Sequence, residues 1–207
     1  MKEISERLSG LRCAMKNSGC MAYIMPSSDP HSSEYAPSHY TPWEYFSGFS
    51  CENAYLVVTL DEAALWIDGR FFGAADAALA GTGIQSMHMG VKGVPEAFDW
   101  LASKFAEGDV IGYTAENMPL KKLRELKQKL NSCGAELKAF HCDDEAWTED
   151  RPDLPHTMTW LLEEKFAGLS TDKKLTLLRE KLEDCSAAVI TRLDSIAWLL
   201  NLRASDI

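Results

Sequence analysis

Asn53-Ala54-Tyr55-Leu56-Val57-Val58-Thr59-Leu60 and Ala63-Ala64-Leu65-Trp66-Ile67, joined by Asp61-Glu62 and followed at once by Asp68-Gly69-Arg70, decide the fold of this chain. Both apolar runs are bounded by turn residues and carry the β-branched and aromatic side chains of strands, so they predict a hairpin. The second run ends on a permanently charged guanidinium beside a glycine, where backbone or ligand can come close. Arg70-Phe71-Phe72-Gly73-Ala74-Ala75 then reads as the start of a helix over 70–80, stopped by Gly81. Arg70 thus stands at a strand-to-helix switch, the place where α/β proteins meet ligands. Spacing alone leaves two roles open for it: an ion pair holding two elements together, or a ligand contact.

Outward from the hairpin, the chain alternates helix and strand. Ile4, Leu8, Leu11 and Met15 recur at helical steps and predict a helix over 3–17, with Gly19 as its stop. Cys20 to Met25 is a short buried strand closed by Pro26, and a polar loop rich in Ser, Pro and His runs from Ser27 to Thr41. Pro42 to Phe46 predicts one helical turn with Trp43 and Phe46 facing inward. Further on come a strand over 84–89, a helix over 94–105 with Pro95 in its first turn, and a strand over 109–113. A strongly amphipathic helix over 119–133 follows, with Leu120, Leu123, Leu126 and Leu130 on one face and Gly134 as cap, then a strand over 135–140. Strands alternating with helices, plus one hairpin, predict an α/β fold with a mixed β-sheet flanked by helices.

From Asp143 to Pro155 the texture turns acidic and Pro-containing, which marks a domain boundary and gives domains of 1–155 and 156–207. Beyond it the pattern predicts a helix over 171–184, a strand over 187–191 and a helix over 194–200. Leu8, Leu11, Arg12 and Met15 correspond to Leu175, Leu178, Arg179 and Leu182 at a constant offset, the mark of an internal duplication. A single strand cannot close a sheet, so the second unit is expected to be the truncated start of a similar α/β domain.

The formal net charge of −10, from 31 acidic against 21 basic residues, disfavours nucleic acid and anionic membrane as partners. The N-terminal stretch lacks the apolar core of a signal peptide, no apolar run reaches about 20 residues, and a soluble intracellular protein is expected. The six cysteines are scattered, with no Cys-x-x-Cys pair, and read as reduced thiols rather than bridges or zinc ligands. His31 and Glu34 would suit a metal or acid/base pair on a helix, but Pro30 and the neighbouring serines favour a turn, with a capping or loop-ordering role. His39 points still more toward a structural role. No nucleophile elbow, phosphate-binding loop or dinucleotide fingerprint is present, so the residues alone give no catalytic apparatus.

Several segments, taken in order, resemble one family. Met21 to Tyr35 is similar to its strand-plus-loop AYIIPSxDxHxSEY, Phe46-Ser47-Gly48-Phe49 to its SGF, and Leu65 to Phe72 to its LWTDGRYF. Met87 to Gly90 with Val94-Pro95 and Trp100-Leu101, Trp147 to Pro152, and Leu193 to Ile207 follow the same family. It is the cytosolic, three-domain type of Xaa-Pro aminopeptidase (aminopeptidase P), a member of the creatinase/prolidase superfamily. The resemblance implies a creatinase/prolidase N-terminal domain, followed by the start of a related second domain. The parent enzyme would be a cytoplasmic hydrolase that removes an N-terminal residue preceding proline, acting on peptides with proline at position 2. Two divalent metal ions, manganese by the resemblance, belong to a C-terminal metallopeptidase domain beyond Ile207. No catalytic residue or metal ligand is therefore assigned here, Asp206 included, and residues 1–207 alone are expected to be inactive. Arg70 inherits the family's peptide-contacting arginine, with His31 as a weaker neighbour in the substrate-restricting wall. A homodimer is compatible with the resemblance. The family's SGFxGSAG is altered here to Ser47-Gly48-Phe49-Ser50-Cys51-Glu52-Asn53-Ala54, which loses two glycines and gains a charge. A stand-alone, non-enzymatic binding or oligomerisation module of the same fold is the competing reading, and a dipeptidase-type relative is a third.

Overall fold

Helix α1 (Ile4–Asn17) forms where its apolar spacing predicts, burying Leu8, Leu11 and Met15. The Glu6 carboxylate accepts the Glu3 N–H at 3.1 Å, satisfying one donor of the helix start. The computed structural model describes residues 2–204 and divides into two units. One runs to Pro30 and from Ser38 to Pro152; the other takes His31–Pro37 and the chain from Asp153.

In the first unit α1 is followed by β1 (Ala22–Pro26), a 3-10 turn at Ser38–Tyr40, α2 (Pro42–Ser47), β2 (Tyr55–Thr59) and β3 (Ala63–Ile67). Then come α3 (Phe72–Leu79), β4 (Gln85–His88), α4 (Ala97–Lys104), β5 (Val110–Tyr113), α5 (Leu120–Asn131), β6 (Glu136–Ala139) and α6 (Cys142–Ala146). The six strands make one mixed sheet in the order β4-β3-β2-β1-β5-β6. β2 runs antiparallel to both β1 and β3, while the β3–β4, β1–β5 and β5–β6 pairs are parallel. Consequently β2 alone runs against the other five.

Every residue of β1 and β3 is buried, as strands covered on both faces require. Ile24, Val57, Ala64, Trp66 and Ile111 face Ala97, Trp100 and Leu101 of α4 and Leu126 and Leu130 of α5. With side chains alternating across a strand, Tyr23, Leu56 and Leu65 point to the opposite face, where α1 and α2 pack on β1 and β2. Trp66 and Trp100 meet edge to face at 5.3 Å, and the Trp66 indole N–H donates to the Pro95 carbonyl at 2.8 Å.

Three expectations for this unit are corrected. The helix expected over 94–105 begins at Ala97, because Pro95 disfavours helix at Val94 and its own carbonyl is tied to Trp66. Helix α3 begins at Phe72, which leaves Arg70 in the turn before it. Leu120 opens α5 but is exposed, so the buried face of that helix rests on Leu126 and Leu130, with Leu123 half-buried. Asp143, the first residue of the acidic stretch, is fully buried in α6.

The second unit contains β7 (Trp160–Leu161), α7 (Glu164–Ala167), α8 (Thr171–Lys181), α9 (Leu193–Leu200) and β8 (Leu202–Arg203), with β7 and β8 paired antiparallel. The strand expected over 187–191 does not form. No ladder partner faces it among the described residues, and Val189 is 89% exposed. The proposed repeat is weak in packing too, since Leu175, Leu178 and Leu182 are only half-buried and the buried position on α8 is Lys174. The Lys174 ammonium donates to the Trp198 carbonyl (2.7 Å) and Asn201 Oδ1 (2.5 Å) and lies 4.4 Å from the Trp198 ring centre. A cation there satisfies carbonyls at the negative end of α9, which Asn201 ends in the left-handed conformation. Asp206, with Ser205 and Ile207, lies outside the described residues.

Candidate functional site

The sheet topology brings two loops together at one end of the strands. Because β2 runs against β3, the segment entering β2 (Ser50–Ala54) and the segment leaving β3 (Asp68–Phe71) emerge side by side, fixed by the pairing of Tyr55 with Trp66. The parallel strands β1, β3, β4, β5 and β6 all end on this side of the sheet, at their C-terminal ends. Gly48 starts the first loop. It closes α2 with φ +71°, and a Cβ there would stand 2.8 Å from Ile4 Cδ1, so the Ser47-Gly48-Phe49 turn needs its glycine.

Arg70 projects from the second loop, with 60% of its side chain exposed. Asp68 holds it in a fork: Nε donates to Oδ1 at 3.1 Å and Nη2 to Oδ2 at 2.7 Å. The backbone N–H of Arg70 also donates to Asp68 Oδ1 at 3.0 Å, so the same carboxylate shapes the turn. Nη1 donates to Glu52 Oε2 at 2.9 Å, across from the β2 loop. The guanidinium lies 5.1 Å from the Phe71 ring centre, and Phe71 meets Phe49 edge to face. Hydrogen bonding from Arg70 holds the Asp68 carboxyl below its usual range, and the two carboxylates push the Arg70 pKa further up. The cluster is exposed to solvent, so its ion pairs add little to stability. One N–H on each terminal nitrogen stays available to a carbonyl or carboxylate ligand.

The contacts of Arg70 show the ion pair, and they leave a donor edge exposed. His31 belongs to the second unit, where its Nδ1 lies 3.4 Å from the Thr191 carbonyl oxygen. The segment carrying His31 and Glu34 is not helical, so the i,i+3 pairing does not arise. His39 Nδ1 lies 2.8 Å from the Pro152 carbonyl oxygen, and the Arg151 guanidinium donates to the His39 carbonyl at 3.0 Å. The His39 contacts tie its loop to the segment at Arg151 and Pro152.

Several features escaped the sequence. Glu52 is the cross-loop partner of Arg70; the signal for it was the charge gained in the altered loop. At the end of β4, His88 Nε2 sits 2.9 Å from Asp76 Oδ1, and its ring stacks on Phe72 at 3.9 Å. Beneath the sheet the Tyr23 hydroxyl lies 2.6 Å from Thr114 Oγ1 and 2.7 Å from Asp143 Oδ1, while Thr114 donates to the same oxygen at 2.6 Å. Burial pushes the Asp143 carboxyl up despite those donors. Among the described residues all six cysteines are free. No group of three or more His, Cys, Asp or Glu side chains among them is gathered to hold a metal ion, so the dinuclear centre implied by the resemblance does not fit these residues. No helix among them is long and apolar enough to cross a membrane.

Comparison with known proteins gives a consistent picture. Residues 7–142 match the creatinase/prolidase N-terminal domain, and residues 150–207 match a second domain of the same description. The chain is 37% identical to a probable Xaa-Pro aminopeptidase P of Verticillium alfalfae, covering 99% of this chain and 34% of that protein. It is 38% identical to aminopeptidase P2 of Arabidopsis thaliana, over 99% of this chain and 30% of that one. It is also similar to the crystal structure of X-prolyl aminopeptidase from Caenorhabditis elegans, described as a cytosolic enzyme with a di-nuclear active site. There the TM-score is 0.88 at 35% identity, covering all of this chain and 36% of that one. The chain therefore spans about a third of the length of the curated relatives it matches.

Proposed function

The chain belongs to the creatinase/prolidase N-terminal domain family, and on that premise we propose that it is the non-catalytic N-terminal part of a metal-dependent Xaa-Pro aminopeptidase. The observation that carries this reading is similarity over nearly the whole chain to Xaa-Pro aminopeptidases, with Asp68-Gly69-Arg70 held at the strand edge as an exposed donor. The parent enzyme would act in the cytoplasm on peptides with proline at position 2, releasing the residue ahead of it. Its two divalent metals, manganese by the resemblance, are assigned to residues outside 1–207. This chain contributes a wall of the substrate cleft. Arg70 meets a peptide carbonyl through its remaining N–H groups, oriented by the Asp68 fork, and His31 is a lesser neighbour of the peptide. Division into domains of 1–155 and 156–207, and any homodimer, belong to the same proposal.

The test uses the complete protein carrying this chain and peptide pairs that differ only in proline or alanine at the second position. Release of the first residue from the proline peptides alone, lost on chelation and restored by manganese, is expected. Equal release from both peptides, or binding without release from either, would contradict the reading; the latter outcome fits a stand-alone module.

A further inference from the structure

The loop before β2 does more than approach Arg70; it changes the charge that a ligand meets there. Asn53, with φ +51°, takes the left-handed conformation directly after Glu52. Glu52 Oε2 accepts from Arg70 Nη1 at 2.9 Å while Asp68 occupies the Nε edge. A third carboxylate stands close by, since Glu44 Oε1 accepts from the Ser50 hydroxyl at 2.6 Å. Burial pushes the Cys51 thiol up to about 12, and Glu44, Asp68 and Glu52 all add to that rise. One guanidinium and two paired carboxylates sum to −1, and Glu44 brings the strand tip to −2. An arginine chosen to attract anions would not be left in that surrounding.

We infer that Glu52 is a specificity-determining residue that makes the Arg70 contact selective for neutral or cationic peptide groups and turns anionic ones away. The inference rests on the reading of Arg70 as a peptide contact. A carbonyl oxygen can accept the remaining N–H groups without meeting a like charge. A substrate carboxylate must either displace Glu52 from Nη1 or sit beside two carboxylates already bound to the same guanidinium. At about 5 Å in a half-exposed site, one such repulsion corresponds to about five- to fifteenfold in affinity.

The test measures kcat/KM in the complete protein for wild type, Glu52→Gln and Arg70→Ala. The substrates are Xaa-Pro peptides carrying alanine, lysine or glutamate at the first or third position. Glutamine keeps the size of the side chain and its acceptor oxygen but removes the charge. Glu52→Gln is expected to raise the ratio of glutamate- to alanine-peptide turnover about five- to fifteenfold at low salt, with the gain shrinking in ~1 M salt. An unchanged ratio in Glu52→Gln, alongside a general loss in Arg70→Ala, would overturn the role of Glu52 and leave that of Arg70 standing. No effect of Arg70→Ala on any peptide would instead remove the reading on which the inference rests.

Discussion

Gly112→Ala tests the packing that carries the site. Gly112 lies in β5, paired with Tyr23 of β1 and Lys138 of β6. A Cβ there would fall 2.6 Å from Cys20 Sγ, 2.7 Å from Tyr23 Cδ2 and 3.1 Å from Phe140 Cδ2. Against the 3.4 Å at which ordinary contact begins, the first two are short by 0.8 Å (3.4 − 2.6) and 0.7 Å (3.4 − 2.7). Neither neighbour can simply swing away. The Tyr23 hydroxyl is held by Thr114 and Asp143, and the Cys20 thiol donates to the Ala22 carbonyl at 2.7 Å. The strands must part, or the tyrosine must abandon its partners. Overpacking of this kind costs about 1–3 kcal/mol, and the loss of one buried hydrogen bond adds about 1 kcal/mol. A loss of about 3 kcal/mol is expected, a large share of the stability of a small domain. Urea unfolding followed by near-ultraviolet circular dichroism reads it through the buried Trp66 and Trp100. Cys20→Ala in the same chain removes the shortest contact and should recover about 1 kcal/mol as a coupling energy. A Gly112→Ala protein within 1 kcal/mol of wild type, or one indifferent to Cys20→Ala, would refute the reasoning.

Three further outcomes are expected. The Asp143 pKa is raised in the folded state above its ordinary 3.8, so the stability it contributes is present at low pH and is lost as pH rises through the folded value. Asp143→Asn should therefore gain on wild type between about pH 4 and pH 7, and urea midpoints showing the same difference at both would contradict this. Lys174→Met strands the Trp198 carbonyl and Asn201 Oδ1, and should cost the second unit about 1–3 kcal/mol, read as faster proteolysis within 171–200. Gly48→Ala forces a left-handed alanine against Ile4 and should cost about 1–2 kcal/mol, seen as a lower thermal midpoint.

The first unit was largely legible because its strands are buried on both faces and announce themselves as apolar runs. Ala63–Ile67 is such a case, observed with the boundaries the sequence suggested. Its ends were less legible, since they are set by tertiary partners: the tie between Trp66 and Pro95 delays α4, and no periodicity records it. The second unit read poorly for the opposite reason. A β-like run such as Ala187–Thr191 becomes a strand only beside a partner, and none faces it among the described residues. At the site, position and charge came through in Asp68-Gly69-Arg70, but the hand that Glu52 lays on Arg70 depends on two loops meeting across a hairpin. The burial of Asp143 left no mark in the sequence, because it depends on Tyr23 and Thr114 enclosing the carboxylate from distant strands.

The central claim is that Arg70 touches the peptide, and kcat/KM for Arg70→Ala and Arg70→Lys in the complete protein tests it most directly. On a neutral Xaa-Pro peptide the alanine variant is expected to fall about ten- to hundredfold, the scale of a charge-assisted hydrogen bond. Lysine should restore little, because a point charge cannot keep the Asp68 fork and donate outward at once. Wild-type kinetics in Arg70→Ala, with the fold intact by circular dichroism, would contradict the account.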